Sequence, residues 1–213
     1  YILFAYKPMT GLVIAFKDYS PFKGVWDSPW VGLQYFEEFF SSQFAWRVIR
    51  NTLTISLTNL VFGFPAPILL ALLLNELSSR KFQKAVQTVT YVPHFISAVV
   101  VCGIVINFLS PTSGVVNAVL EAFGQEPVYF LAQPGFFVVI YTLMSIWKST
   151  GYGSIVYIAA LTSIPQDLYE AAQADGAGRW RQFVHVTLPG LLPTITIMLL
   201  IQLGGILNVG YES

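Results

Sequence analysis

The sequence predicts an all-α integral membrane protein, and three observations carry that prediction. Of 213 residues, 55% are hydrophobic and 10% charged, whereas soluble domains carry about a quarter charged residues. The run from Thr52 to Leu74 contains no charge, and roughly 20 apolar residues suffice for a helix to cross a hydrocarbon core of about 30 Å. Apolar stretches then recur, so the chain has room for about four or five spans.

Taken in order, Tyr1 to Ala5 reads as the tail of a longer apolar run, and both ends are expected to be truncated. Lys17 to Arg50 is rich in aromatics (Tyr19, Phe22, Trp26, Trp30, Tyr35, Phe36, Phe39, Phe40), which suits a belt at the lipid headgroups. Thr52 to Leu74 is the first clear span, with a kink expected at Pro65 and Pro67. A second span is expected over Tyr91 to Leu109. Val115 to Gln133 mixes apolar and polar residues and predicts a short amphipathic surface helix. A third span starts near Phe136 and runs to Trp147 or on past Gly151 and Gly153, and a fourth begins after Pro189 and reaches Leu207.

Basic residues favour cytoplasmic loops. Arg80, Lys81 and Lys84 mark residues 75–90 as one such loop, and Arg179 and Arg181 mark residues 163–188 as another. One group of charges opposes this orientation, because Lys17, Lys23, Arg47 and Arg50 then lie outside. Zero net charge argues against a nucleic-acid partner. The single cysteine, Cys102, reads as a small packing residue. Neither His94 nor His185 has a second ligand or a nucleophile at useful spacing, so neither metal nor catalysis is assigned to them. The sequence contains no G-x-x-x-x-G-K-[ST] loop to cradle ATP phosphates. No cofactor is expected in this chain.

Residues 163–188 read as helix, turn, helix. Ser163 is expected to cap the first helix with Gln166 as its box partner, with Pro165 in the first turn. Asp167 and Glu170 suit the positive end of that helix. Leu168, Ala171 and Ala172 share one face, Asp175 and Gly176 end the helix, and Trp180, Phe183 and Val184 line the second. Small residues around one carboxylate permit the close approach that a docking surface needs, although an amphipathic loop resting on the membrane has the same composition.

The run EAAQADGAGRWRQFVHVTLP, Glu170 to Pro189, resembles the EAA loop of permeases from binding-protein-dependent ABC importers. Tyr6 to Phe40, YVPHFIS (Tyr91 to Ser97), LTSIPQDLYEAA (Leu161 to Ala172) and GGILNVGYES (Gly204 to Ser213) look like carbohydrate importer permeases of the LplB type. The resemblance implies a type I importer permease bundle, here a single domain over residues 1–213, with residues 163–188 as its cytoplasmic coupling loop. It implies that Glu170, Ala171, Ala172, Asp175, Gly176, Ala177 and Phe183 make or shape contact with an ATPase subunit. It also implies a multi-pass protein of the bacterial inner membrane. The implied partners are ATPase subunits, a second homologous permease, an extracytoplasmic solute-binding protein and an oligosaccharide.

Polar groups at membrane depth are candidates for a cargo path. Trp147, Lys148, Ser149, Thr150 and Tyr152 form such a cluster, able to stack on a sugar and bond its hydroxyls. By resemblance, Ser149 and Tyr152 would contact the sugar, and Gln202 and Asn208 would add polar groups from the last span. Ser97 is a further candidate. Interfacial anchoring of Trp147 with a snorkelling Lys148, and helix–helix bonding by Ser97, Gln202 and Asn208, are the alternative readings. At the level of function, a membrane-embedded transferase using Asp167, Glu170 and Asp175 and an ion-driven transporter are the competing classes.

Overall fold

A hydrocarbon solvent leaves helices as the economical way to satisfy a backbone, and the computed structural model, which describes residues 4 and 6–206, is helical in this way. The chain divides into two compact units, Tyr1–Thr52 and Leu53–Ser213.

In the first unit, α1 (Lys7–Met9) runs into a 3-10 turn over Thr10–Phe16, followed by α2 (Gly24–Asp27) and α3 (Gln34–Ser41). An isolated antiparallel bridge joins Lys17 to Trp30. The Phe16 ring lies against Trp30 at 5.6 Å and against Phe36 at 5.4 Å. Lys17 donates to the carbonyls of Val25 (3.0 Å) and Trp26 (2.8 Å), so this cation is used within the fold. The Tyr35 hydroxyl donates to Asp18 Oδ1 at 2.9 Å, and this bond holds the phenol above its usual range. Phe22 and Trp26 remain exposed, as an interfacial belt requires.

From Gln43 the chain becomes a succession of long helices. α4 (Gln43–Thr58) passes through a π-turn, Asn59–Gly63, into α5 (Pro65–Asn75), giving one apolar span of 33 residues from Gln43 to Asn75. The π-turn has a local cause. Pro65 offers no N–H and its ring crowds the carbonyl four residues back, and the wider turn relieves that crowding while the Phe64 amide bonds Asn59 O at 3.2 Å.

α6 (Arg80–Tyr91) and a 3-10 turn, Val92–Phe95, are followed by α7 (Ala98–Phe108) at a bend of 98°. The straight second span expected over Tyr91 to Leu109 is therefore corrected to a broken one. Pro93 is buried in the 3-10 turn, Ile96 is extended, and Ser97 starts α7 afresh by accepting from the Val100 amide at 3.4 Å. Cys102, read as a packing residue, is exposed on α7.

α8 (Val115–Ala122) is shorter than the expected amphipathic stretch. Its buried Asn117 donates to the carbonyls of Leu109 (3.3 Å), Ser110 (3.0 Å) and Val128 (3.1 Å) and accepts from the Val128 amide (2.7 Å), fastening the loop on either side.

α9 (Pro134–Thr162) is unbroken over 29 residues and packs against α5, α6 and α12 (Leu188–Gly204). Small residues allow close approach: a Cβ on Gly151 would collide with the Thr90 carbonyl, and one on Gly153 would lie 3.2 Å from the Pro67 ring. Ala71, Tyr157, Leu161 and Leu191 form the buried centre where α5, α9 and α12 meet. α10 (Gln166–Ala174) and α11 (Arg179–Gln182) precede a second π-turn, Phe183–Thr187, which joins α11 to α12. The helix that carries the last span accordingly starts at Arg179, ahead of Pro189: the wider turn again accommodates a proline two residues beyond it.

Among the described residues, two helices are long and apolar enough to cross a membrane, Gln43–Asn75 and Arg179–Gly204, and the bent pair makes a third if counted as one span. α9 has the length as well, at ~43 Å, although Ser145, Lys148, Ser149, Thr150 and Gly151 dilute its hydropathy.

Replacing Asn117 by Leu leaves the Val128 amide and several carbonyls unmet, at a cost of about 2–3 kcal/mol. The expected result is a lower unfolding temperature in detergent with faster proteolysis within residues 123–129; an unchanged cleavage rate would show that Asn117 does not hold this loop.

Candidate functional site

The loop between α9 and α12 begins differently from its sequence expectation. Ser163 closes α9, its amide 3.2 Å from the carbonyls of Ala159 and Ala160 and its hydroxyl donating to Ala160 O at 2.8 Å. The expected capping box with Gln166 does not form, because Pro165 disfavours helical geometry at Ile164 and itself takes the N-cap position of α10.

The far end of α10 follows its sequence. Gly176 has φ +77°, the Gly176 amide donates to Gln173 O at 2.9 Å and the Ala177 amide to Ala172 O at 2.8 Å. This paired arrangement completes the last carbonyls of the helix and requires a residue tolerant of the left-handed region. Glu170, Ala171, Asp175 and Gly176 lie exposed, while Ala172, Ala177 and Phe183 are half-buried. Trp180 stays exposed with its ring 5.4 Å from Phe183. α10 and its cap therefore offer a small-residue surface carrying carboxylates.

Four contacts fix this loop, one of them internal to it. The Tyr169 and Thr187 hydroxyls bond at 3.0 Å, linking α10 to the π-turn that leads into α12. Gln182 Nε2 donates to Ala177 O at 2.8 Å. Ile164 packs so closely on Gly190 that a Cβ there would sit 2.7 Å from its Cδ1. Arg179 lies 3.9 Å from Glu76. This exposed pair adds little stability, but it puts the two basic loops on the same side of the bundle, as the charge pattern anticipated.

A cleft of about 310 Å³ opens between α5, α9 and α12, lined by Asn59, Ser145, Ser149, Gln202 and Tyr157 among others. It unites Ser149 and Gln202 of the expected path. Ser149 bonds back to Ser145 O at 2.7 Å, leaving its oxygen free to accept. Tyr152 instead stacks on His94 with centroids 4.0 Å apart and rings 2° from parallel. Trp147 lines an apolar groove with Val101, Ile104, Phe108 and Met144. Ser97 caps α7, and Asn208 lies outside the described residues.

Sequence reasoning missed Asn59 and His94. Asn59 is a polar residue within an apolar run, and the Gly63 below it was the available signal: a Cβ on Gly63 would collide with Asn59 Oδ1. The His94 stack depends on the bend after Phe95, which no periodicity announces.

Residues 63–209 match the family described as binding-protein-dependent transport system inner membrane component. Protein LplB of Bacillus subtilis (strain 168) is 44% identical over all of this chain and 67% of its own length. The polygalacturonan/rhamnogalacturonan transport system permease protein YteP of the same organism is 43% identical over all of this chain and 66% of its own. The chain thus spans about two thirds of these relatives. Among solved structures, a bacterial ABC transporter involved in import of the acidic polysaccharide alginate superposes with a TM-score of 0.90 at 51% identity, covering 99% of this chain and 70% of the other. The bacterial alginate ABC transporter in complex with its alginate pentasaccharide-bound periplasmic protein gives 0.89 over 99% of this chain and 69% of that one.

A side chain on Gly176 meets open space, so substitution there acts through backbone conformation alone. Gly176→Val is expected to speed hydrogen exchange at the Ala177 amide about tenfold, equivalent to ~1.4 kcal/mol, and Gly176→Asn by much less, because Asn visits this region at lower cost. Equal rates in the two variants would contradict this account of the cap.

Proposed function

The chain belongs to the binding-protein-dependent transport system inner membrane component family, and from that premise we propose that it is the permease subunit of an ATP-driven oligosaccharide importer whose residues 163–188 act as the coupling lever. The ATP chemistry lies on separate ATPase subunits, a second permease completes the pathway, and an extracytoplasmic binding protein delivers the cargo. The protein works in the inner membrane.

The observation that carries the lever reading is the attachment of α10. Its exposed face bears Glu170, Ala171 and Asp175, while Tyr169 is bonded to Thr187 at the root of α12. A displacement of α10 by a closing ATPase therefore passes through a bonded contact into a span. Bistable packing turns such small shifts into a change of access. Glu170, Ala171, Ala172, Asp175, Gly176, Ala177 and Phe183 are the residues proposed to form or support the docking surface.

The cargo is proposed to be an oligosaccharide. Asn59, Ser149 and Gln202 supply donors and acceptors suited to sugar hydroxyls. The relatives named for polygalacturonan/rhamnogalacturonan and alginate transport support the same chemical class.

The lever is tested in membranes holding the assembled importer. Glu170→Lys and Gly176→Pro are expected to insert normally but to lose uptake and the stimulation of ATP hydrolysis by loaded binding protein; Gly176→Pro fixes φ near −65° and deletes the amide bonded to Gln173. Wild-type uptake in both variants would remove this loop from the coupling pathway.

A further inference from the structure

One ridge of α9 borders the polar cleft. Ser145, Ser149, Gly153 and Tyr157 follow one another at intervals of four, which stacks them along one face of the helix, and all four line that space. Leu161, the next residue of the row, lies instead in the buried centre with Ala71 and Leu191. Tyr157 is therefore the last polar group of the ridge, five residues before α9 ends at the loop over residues 163–188.

Tyr157 is 2% exposed and belongs to the same buried centre as Leu161 and Leu191. A buried tyrosine usually finds a partner for its O–H, yet among the described residues this hydroxyl bonds nothing. Nor is it sealed in: Thr150 Oγ1 is the enclosed side-chain oxygen that lacks a partner among the described residues. The slight exposure that Tyr157 keeps thus includes its hydroxyl, and the space the residue borders is the cleft. A phenylalanine would fill the same place in the cluster with no oxygen to desolvate. The side chains of Asn59, Ser145 and Gln202, on the walls of the same cleft, make no hydrogen bond among the described residues either.

We propose that the Tyr157 hydroxyl is the cargo contact at the loop end of the cleft, hydrogen-bonding an oxygen of the sugar unit that reaches that end first, while its ring is held in the buried centre. This rests on the oligosaccharide reading above and adds to Asn59, Ser149 and Gln202 a specificity-determining contact closest to the coupling loop. Leu191, in the cluster that holds the ring, stands one turn beyond Thr187, which Tyr169 grips. Cargo contact and docking loop therefore meet on adjacent turns of α12.

The test uses the assembled importer purified without its binding protein, and equilibrium binding of two radiolabelled probes, maltotriose and a galacturonate trisaccharide. Tyr157→Phe keeps the ring and removes the oxygen. For the trisaccharide that the wild type binds, it is expected to raise Kd about three- to tenfold, the range for one hydrogen bond between neutral groups, while the unfolding temperature without sugar stays at or above that of the wild type. Gln202→Leu, on the opposite wall, is expected to weaken binding of the same sugar. Weakened binding in Gln202→Leu with an unchanged Kd in Tyr157→Phe overturns the proposal and leaves the oligosaccharide reading intact. A lowered unfolding temperature of Tyr157→Phe, or its failure to assemble in size-exclusion chromatography, also overturns it by assigning the hydroxyl to the fold. A wild type that binds neither trisaccharide overturns the oligosaccharide reading of the cleft, and this contact with it.

Discussion

Inside hydrocarbon a backbone carbonyl has no water to fall back on, and this protein places prolines in or beside nearly every long helix. Pro65, Pro67, Pro189 and Pro193 each withdraw a donor from a span. The chain answers twice with a five-residue π-turn, Asn59–Gly63 and Phe183–Thr187, set just ahead of the first proline of each pair. At Pro93 it answers differently, with a short 3-10 turn, a break, and a restart capped by Ser97. The cleft, the aromatic stack and the root of the loop between α9 and α12 each lie beside one of these three adjustments.

The two π-turns also connect structure to chemistry. At Asn59–Gly63 the turn and the missing Cβ of Gly63 together leave room for the Asn59 carboxamide beside the cleft. At Phe183–Thr187 the turn lets α11 continue into α12 without interruption, and it carries the hydroxyl that Tyr169 grips. One accommodation lies beside the cleft proposed for cargo and the other at the root of the loop proposed for coupling. Both arise from the same shortage of donors.

What was legible in the sequence was whatever depends on composition and local caps. The charge-free run after Thr52, the left-handed Gly176 and the common side of the two basic loops follow from residue type and spacing. The span limits were less legible, since a π-turn costs the pattern only one extra residue and leaves hydropathy unaltered. The Ser163 box failed because the signature counts spacing and ignores that Pro165 restricts the residue before it. Trp147 and Tyr152 are five residues apart in one helix, which turns their side chains to different neighbours, an apolar groove and His94. The shared polar character that grouped them in sequence does not place them together in space.

α9 differs from the helices around it. Its neighbours are widened at residues 59–63, broken at 96–97 and widened again at 183–187, whereas α9 is continuous from Pro134 to Thr162 and keeps its only proline at the first turn. Compliance is therefore distributed unevenly. The joints lie in the helices packed against α9, each at a known residue, and α9 itself has none. A displacement entering at α10 would therefore meet a joint in each of the three broken or widened helices and none along α9.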